Sequence, residues 1–244
     1  MKLNFSIKYR TSWGEQIVLC LGGKRYLLSY VAEGIWQGEI ARFKPAMASE
    51  YTYEVVRDGM TVRTEWKKHL LVLPEDTKAK VVNIYDRWND RPADSPFYSS
   101  AFTKGIFRRE ETKAKAQEGT ANVLFQVAAP VLRPNEVLAL AGSTKALGKW
   151  SKVIPFEDSR FPVWTLGLEV EEPFLYKLLI ADKYTLQPIA WEECDNRVFG
   201  YLPGKGELFV EASLEPRFGG RQWKGAGTAI PVFSLRSEDD FGVG

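Results

Sequence analysis

The sequence is poor in the residues that build metal sites and disulfide frameworks. Its 244 residues include one histidine, His69, and two cysteines, Cys20 and Cys194, in opposite halves of the chain. A lone histidine with no cysteine nearby makes no zinc site. Two cysteines, each in or beside an apolar run, make no disulfide framework. This is the usage of a reduced, cytoplasmic protein, and no metal or other cofactor is expected. His69, within WKKHLL (66–71), reads as a surface residue. A surplus of one charge is missing as well: 33 basic residues stand against 31 acidic, a formal net charge of +2. That leaves no electrostatic footprint for nucleic acid or an anionic membrane. No apolar run is long enough to span a bilayer, and the opening MKLNFSIKYRTS alternates polar and apolar residues where a signal peptide would have a continuous apolar core.

Short strands are present in quantity. LNFSIKY (3–9) places Leu3, Phe5, Ile7 and Tyr9 on one face, the period of a half-buried strand. IVLCLGG (17–23), IWQGEIARF (35–43), YTYEVVRDGMTVRTEW (51–66) and KAKVVNIY (78–85) follow, and RDG (57–59) reads as a hairpin turn. The second half repeats the plan with NVLFQVAAP (122–130), VLALAGS (137–143), VWTLGLEV (163–170), FLYKLLIADKYTLQPIAW (174–191) and ELFVEASL (207–214), with a turn at Asp182-Lys183. No long helical period occurs. The spacing predicts an all-β chain of two tandem immunoglobulin-like β-sandwiches joined by a linker. The expected boundaries are 1–88, a linker over 89–120 carrying an apolar patch from Phe97 to Phe107, 121–215, and a tail from 216.

Eight tryptophans are many for this length, and they serve either recognition or a sandwich core. Trp164, between apolar neighbours in mid-strand, reads as core. Trp191 is different, because AWEECDNR (190–197) follows it at once with Glu192, Glu193, Asp195 and Asn196. A catalytic pair is not expected in this stretch. Glycoside hydrolysis needs two carboxylates across the scissile bond, whereas Glu192 and Glu193 are adjacent and on a strand point to opposite faces.

The second half carries ALGKW (146–150), VW (163–164), FLYK (174–177) and AWEECDNR ahead of YLP (201–203). In this order and spacing it resembles the starch-binding domains of carbohydrate-binding module family 20. The resemblance implies a surface site for α-1,4-glucan, in which Trp150 and Trp191 stack on sugar rings and Lys177, Glu192 and Asn196 bond the hydroxyls. The chemistry fits those residue types. An indole offers a rigid, flat face to the C–H side of a pyranose, and charged and amide side chains satisfy its rim. Lys177 is also what a solvated strand would carry, and Glu192 and Asn196 are also what a turn would use.

The first half departs from this pattern. The stretch from Gly22 to Trp36 lacks the LGxW loop, Glu54 stands for the lysine of the YK strand, and WKKHLL, with Trp66, replaces WEECDNRVF. SWGEQIVLCLGG (12–23) instead resembles the segment that carries an aromatic of the family's second glucan site. The resemblance places Trp13 there, with Tyr30 as its companion across the groove; otherwise Trp13 packs beneath its turn. The tail WKGAGTAIPVFSLRSEDDFGVG (223–244) resembles the opening of the catalytic barrel of glycoside hydrolase family 77, the 4-α-glucanotransferases or amylomaltases. Residues 216–244 are therefore expected to start that barrel, with the catalytic carboxylates outside this sequence. These resemblances imply a non-catalytic glucan tether whose partner is an α-1,4-glucan. The alternative is a structural or dimerisation module that orients the barrel with vestigial sugar sites.

Overall fold

The computed structural model describes residues 1–44, 48–74, 77–90, 121–129 and 132–219. The expectations for most of the linker and for the barrel-like tail lie outside the described residues. The described chain is all β. Its first half holds β1 (Lys2–Lys8), β2 (Glu15–Leu21), β3 (Lys24–Leu27), β4 (Ser29–Ala32), β5 (Ile35–Ile40), β6 (Ala48–Arg57), β7 (Met60–Thr64), β8 (His69–Val72) and β9 (Val81–Arg87). The second holds β10 (Val123–Ala128), β11 (Glu136–Gly142), β12 (Ile154–Pro155), β13 (Glu157–Arg160), β14 (Val163–Leu168), β15 (Phe174–Asp182), β16 (Pro188–Trp191), β17 (Arg197–Phe199) and β18 (Glu207–Glu211). The hairpin expected at RDG joins β6 to β7. Asp58 and Gly59 both adopt positive φ, 50° and 77°, the backbone twist that a tight two-residue hairpin needs.

Each half has its own hydrophobic core, and the two sandwiches share one continuous sheet. β18 runs parallel to β10 on one side and to β9 on the other. The result is one eight-stranded sheet, in the order β13-β14-β10-β18-β9-β1-β5-β4. Two five-stranded sheets flank it, one of β2, β3, β6, β7 and β8 and one of β11, β12, β15, β16 and β17.

Register shows how they sit. Val82 faces Leu208 and Ile84 faces Val210, so these four share a side of the sheet with Leu3, Phe5 and Ile7 in the first core. Val123, Phe125, Val127 and Phe209 point to the other side, into or against the second core. The two smaller sheets therefore cover opposite faces of the shared one.

This explains a difference in pattern between the two first strands. β1 alternates buried and partly exposed residues because one of its faces is bare. β10, VLFQVA, is nearly all buried because each of its faces meets a core. Leu124 joins the first core, and beside it the Gln126 side chain donates to the Val72 carbonyl at 2.9 Å.

A chain fused in this way is expected to unfold as one unit. Thermal denaturation followed by tryptophan fluorescence is expected to show a single transition. Leu124→Ala, which leaves a hole in the core of the other half, is expected to cost about 3 kcal/mol in urea titration.

Candidate glucan-binding face

β15 organises the site. Its even-numbered residues Phe174, Tyr176, Leu178 and Ile180 fill the second core. The odd-numbered Leu175, Lys177 and Leu179 therefore point to the other face, where Leu175 is exposed, Lys177 half-buried and Leu179 fully covered. Trp191 lies directly across from Leu179, and residues opposite one another in a ladder share a face. Lys177 is two residues along that row, which strand spacing puts at roughly 8 Å between the Cα atoms of Lys177 and Trp191. On the other side of β15, Ala141 faces Lys177 and Gly142 faces Tyr176. The amide of Trp150 donates to the Gly142 carbonyl at 2.8 Å. Asn196 is exposed beside Arg197, which pairs with Tyr176. The backbones of Trp150, Lys177, Trp191 and Asn196 thus lie near one level of β15. The two indoles are 37% and 42% exposed, whereas Trp164 is fully buried with its Nε1–H on the Ala129 carbonyl at 2.9 Å.

The LGxW loop is built to present its tryptophan. Leu147 is buried in the second core against Gly142, where a Cβ would meet the Leu147 side chain. Gly148, Lys149 and Trp150 then take positive φ in succession, 68°, 51° and 72°. For a tryptophan this left-handed backbone costs about 1–2 kcal/mol. Bonds from the Lys149 amide to the Thr144 carbonyl (2.9 Å) and from Trp150 to Gly142 hold it there. Strain held by such over-determination is typical of ligand clamps.

Glu192 corrects the sequence reading. It is expected at the surface as an acceptor for sugar hydroxyls, yet it is 2% exposed and fully engaged. Its Oε1 accepts the Leu178 amide at 2.7 Å. Arg197 grips both oxygens, with Nε at 3.1 Å from each and Nη2 at 2.9 Å from Oε2. Sequence reasoning missed Arg197. The signal lay in the first half: the Glu65 amide reaches the Tyr53 carbonyl, Glu65 Oε2 accepts the Tyr53 amide at 2.7 Å, and Oε1 lies 2.8 Å from His69 Nε2. Glu65 and His69 are the counterparts of Glu192 and Arg197. The same register sets Thr64 where the second half has Trp191, and Thr52 where it has Lys177. The matches of Trp66 to Trp191 and of Glu54 to Lys177 are therefore out of step. Trp66 instead lines a cleft of about 300 Å³ between the halves, with Gln126, Pro162 and Leu214.

His69 is likewise not a surface residue. HLLV alternates, and its first and third residues face inward. The ring stacks on Tyr51 at 4.9 Å, and Nδ1 lies 3.6 Å from Asp86, which also takes the hydroxyls of Tyr51 (2.8 Å) and Tyr53 (2.7 Å). Burial disfavours the imidazolium, but the Asp86 and Glu65 carboxylates outweigh it and raise its pKa above the ordinary value. Burial raises that of Asp86. Among the described residues no group of three or more His, Cys, Asp or Glu could hold a metal ion.

Trp13 and Tyr30 lie away from this face. Trp13 occupies the turn between β1 and β2 and is 99% exposed, so it does not pack beneath that turn. Tyr30, 58% exposed on β4, sits edge-on to Trp36 at 5.4 Å. No ring contact joins Trp13 to Tyr30 among the described residues.

The raised His69 pKa has a testable sign. The stability it adds is complete below the unfolded value of about 6.5 and is lost as pH rises through the folded value. Urea midpoints measured across that window should fall for the parent chain, and the difference from His69→Gln should shrink.

The starch binding domain family model matches residues 120–204, the segment that contains this face. Along 99% of its length the chain is similar to the 4-alpha-glucanotransferase DPE2 of Oryza sativa subsp. japonica, 30% identical over 275 aligned residues. It spans 28% of that relative's length. Among solved structures, the family 20 carbohydrate-binding module of the maltotetraose-forming amylase from Pseudomonas saccharophila STB07 matches at 18% identity and a TM-score of 0.31, covering 36% of this chain and 97% of that one. The family 15 glucoamylase from Hypocrea jecorina matches at 20% identity and a TM-score of 0.31, covering 37% of this chain and 16% of that one.

Proposed function

We propose that this chain, whose residues 120–204 belong to the starch binding domain family, holds α-1,4-glucan without acting on it. In this reading residues 1–88 and 121–215 form two sandwich units, and the chain serves as the substrate-holding region of a 4-α-glucanotransferase. One observation supports the reading: Trp150 and Trp191, both partly exposed, have their backbones on either side of β15 near Lys177, inside the matched segment. The indoles take the C–H faces of neighbouring glucose units, and the Lys177 ammonium and Asn196 amide bond the hydroxyls between them. Glu192 has no part in direct contact; its carboxylate belongs to Arg197 and the Leu178 amide.

Trp13 and Tyr30 provide a second, weaker contact in the first half. Tyr30 lies across from Trp36 of the first core, so it looks to one side of the shared sheet. The face with Trp191 looks to the other. The two regions also belong to different sheets, Tyr30 to the shared one and Trp191 to a flanking one. A short oligosaccharide reaches one contact at a time. A long or branched glucan reaches both and gains affinity through effective concentration.

Calorimetric titration with maltoheptaose tests the reading. Trp191→Ala and Trp150→Ala are each expected to weaken binding about tenfold or more, or about 1.4 kcal/mol, with circular dichroism unchanged. Parent-like affinity in both variants would refute it.

A further inference from the structure

The clamp at Glu192 occurs in both halves of the chain, but the exposed residues around it do not. We infer that Glu192 and Arg197 are a positioning pair for the glucan face, acting through Trp191 and Asn196 without touching the sugar. The inference rests on the glucan reading above.

The geometry of the strand edge carries it. Trp191 pairs with Leu179 and Arg197 pairs with Tyr176. Five residues, Glu192 to Asn196, therefore leave and rejoin β15 across a gap of two, Lys177 and Leu178, and the excess must loop outward. Glu192 closes the gap from below. Its amide donates to the Leu178 carbonyl at 3.1 Å, and its carboxylate accepts the Leu178 amide at 2.7 Å. The Arg197 guanidinium then ties the far end of the loop to the near end, its Nε–H shared between the two carboxylate oxygens and its Nη2 donating to Oε2. A planar guanidinium that grips both oxygens fixes orientation as well as distance. Trp191 immediately precedes Glu192 and Asn196 immediately precedes Arg197, so a tilt of the clamp moves both.

The first half supplies an internal control. There Glu65 closes the same gap against Tyr53, and His69 takes the place of Arg197. The neighbouring tryptophan and lysine are replaced by Thr64 and Thr52. The clamp persists where the sugar-facing side chains are gone, so its work is to hold the loop. The halves differ in how the clamp is charged: a guanidinium stays protonated at any ordinary pH, and an imidazole does not. The titratable groups around Arg197 are Glu192 and Cys194 on the loop, Tyr176 on β15 and Glu211 on β18. Burial raises the pKa of both Cys194 and Tyr176.

Exchange of the clamp residue gives the test. In a Trp13→Ala background, which removes the other contact, maltoheptaose affinity is measured by calorimetry at about pH 5.5 and about pH 8. Arg197→His is expected to bind about tenfold more weakly at the higher pH and to recover at the lower, while the background chain changes by less than about twofold. Glu192→Gln keeps the acceptor for Leu178 but loses the ion pair. It is expected to lose about tenfold at both values, and it decides the matter if Arg197→His does not fold. Background-like affinity in both variants at the higher pH, with Trp191→Ala weakened, would overturn the positioning role alone. So would a lower melting temperature with unchanged affinity of the folded protein. Background-like affinity in Trp191→Ala as well would overturn the glucan reading beneath it.

Discussion

The surface of the second half depends on one buried carboxylate that stands in for a missing strand. Where β16 has ended and β17 has not begun, the Leu178 amide has no ladder partner, and an unpaired buried amide costs about 1–3 kcal/mol. Glu192 supplies the acceptor. A carboxylate this deep is costly unless its charge is met, and the Arg197 guanidinium meets it. The loop that displays Trp191 and Asn196 is a by-product of that exchange. The same solution in the first half, with Glu65, Tyr53 and His69, shows that the arrangement belongs to the repeated fold, while the exposed residues around it differ between the halves.

The shared sheet gives this face a fixed address. Parallel pairing of β9 with β18 fuses the halves, and the hydrophobic contacts of Leu124, Leu208 and Val210 bury the fusion. The flanking sheets lie on opposite sides, so the exposed aromatics of the two halves look away from each other.

Much of this was legible in the sequence, for physical reasons that differ from case to case. Alternation in LNFSIKY and the glycine turn at RDG report local backbone and one-sided burial, and both elements form as expected. The outward placement of Trp191 was legible because polar residues crowd it. The fusion was not, because β18 reads as an ordinary closing strand. Only the nearly continuous apolar run of β10, interrupted by Gln126, hints that both its faces are covered. Glu192 was misread because a single glutamate before a turn looks the same whether it faces water or fills a gap in a ladder. His69 was misread because its partners, Asp86 and Glu65, approach from another strand and from a loop. The alignment of the halves slipped at Trp66 because tryptophan draws the eye, whereas the conserved geometry belongs to the glutamate beside it.

The central claim is that a glucan rests on Trp150 and Trp191 together. Titration of maltoheptaose into isotopically labelled chain, read at the indole N–H resonances, tests it most directly. The account expects the signals of Trp150 and Trp191 to move on one common binding curve while that of the buried Trp164 stays still. If neither exposed indole moves, or the two follow separate curves, the account is contradicted.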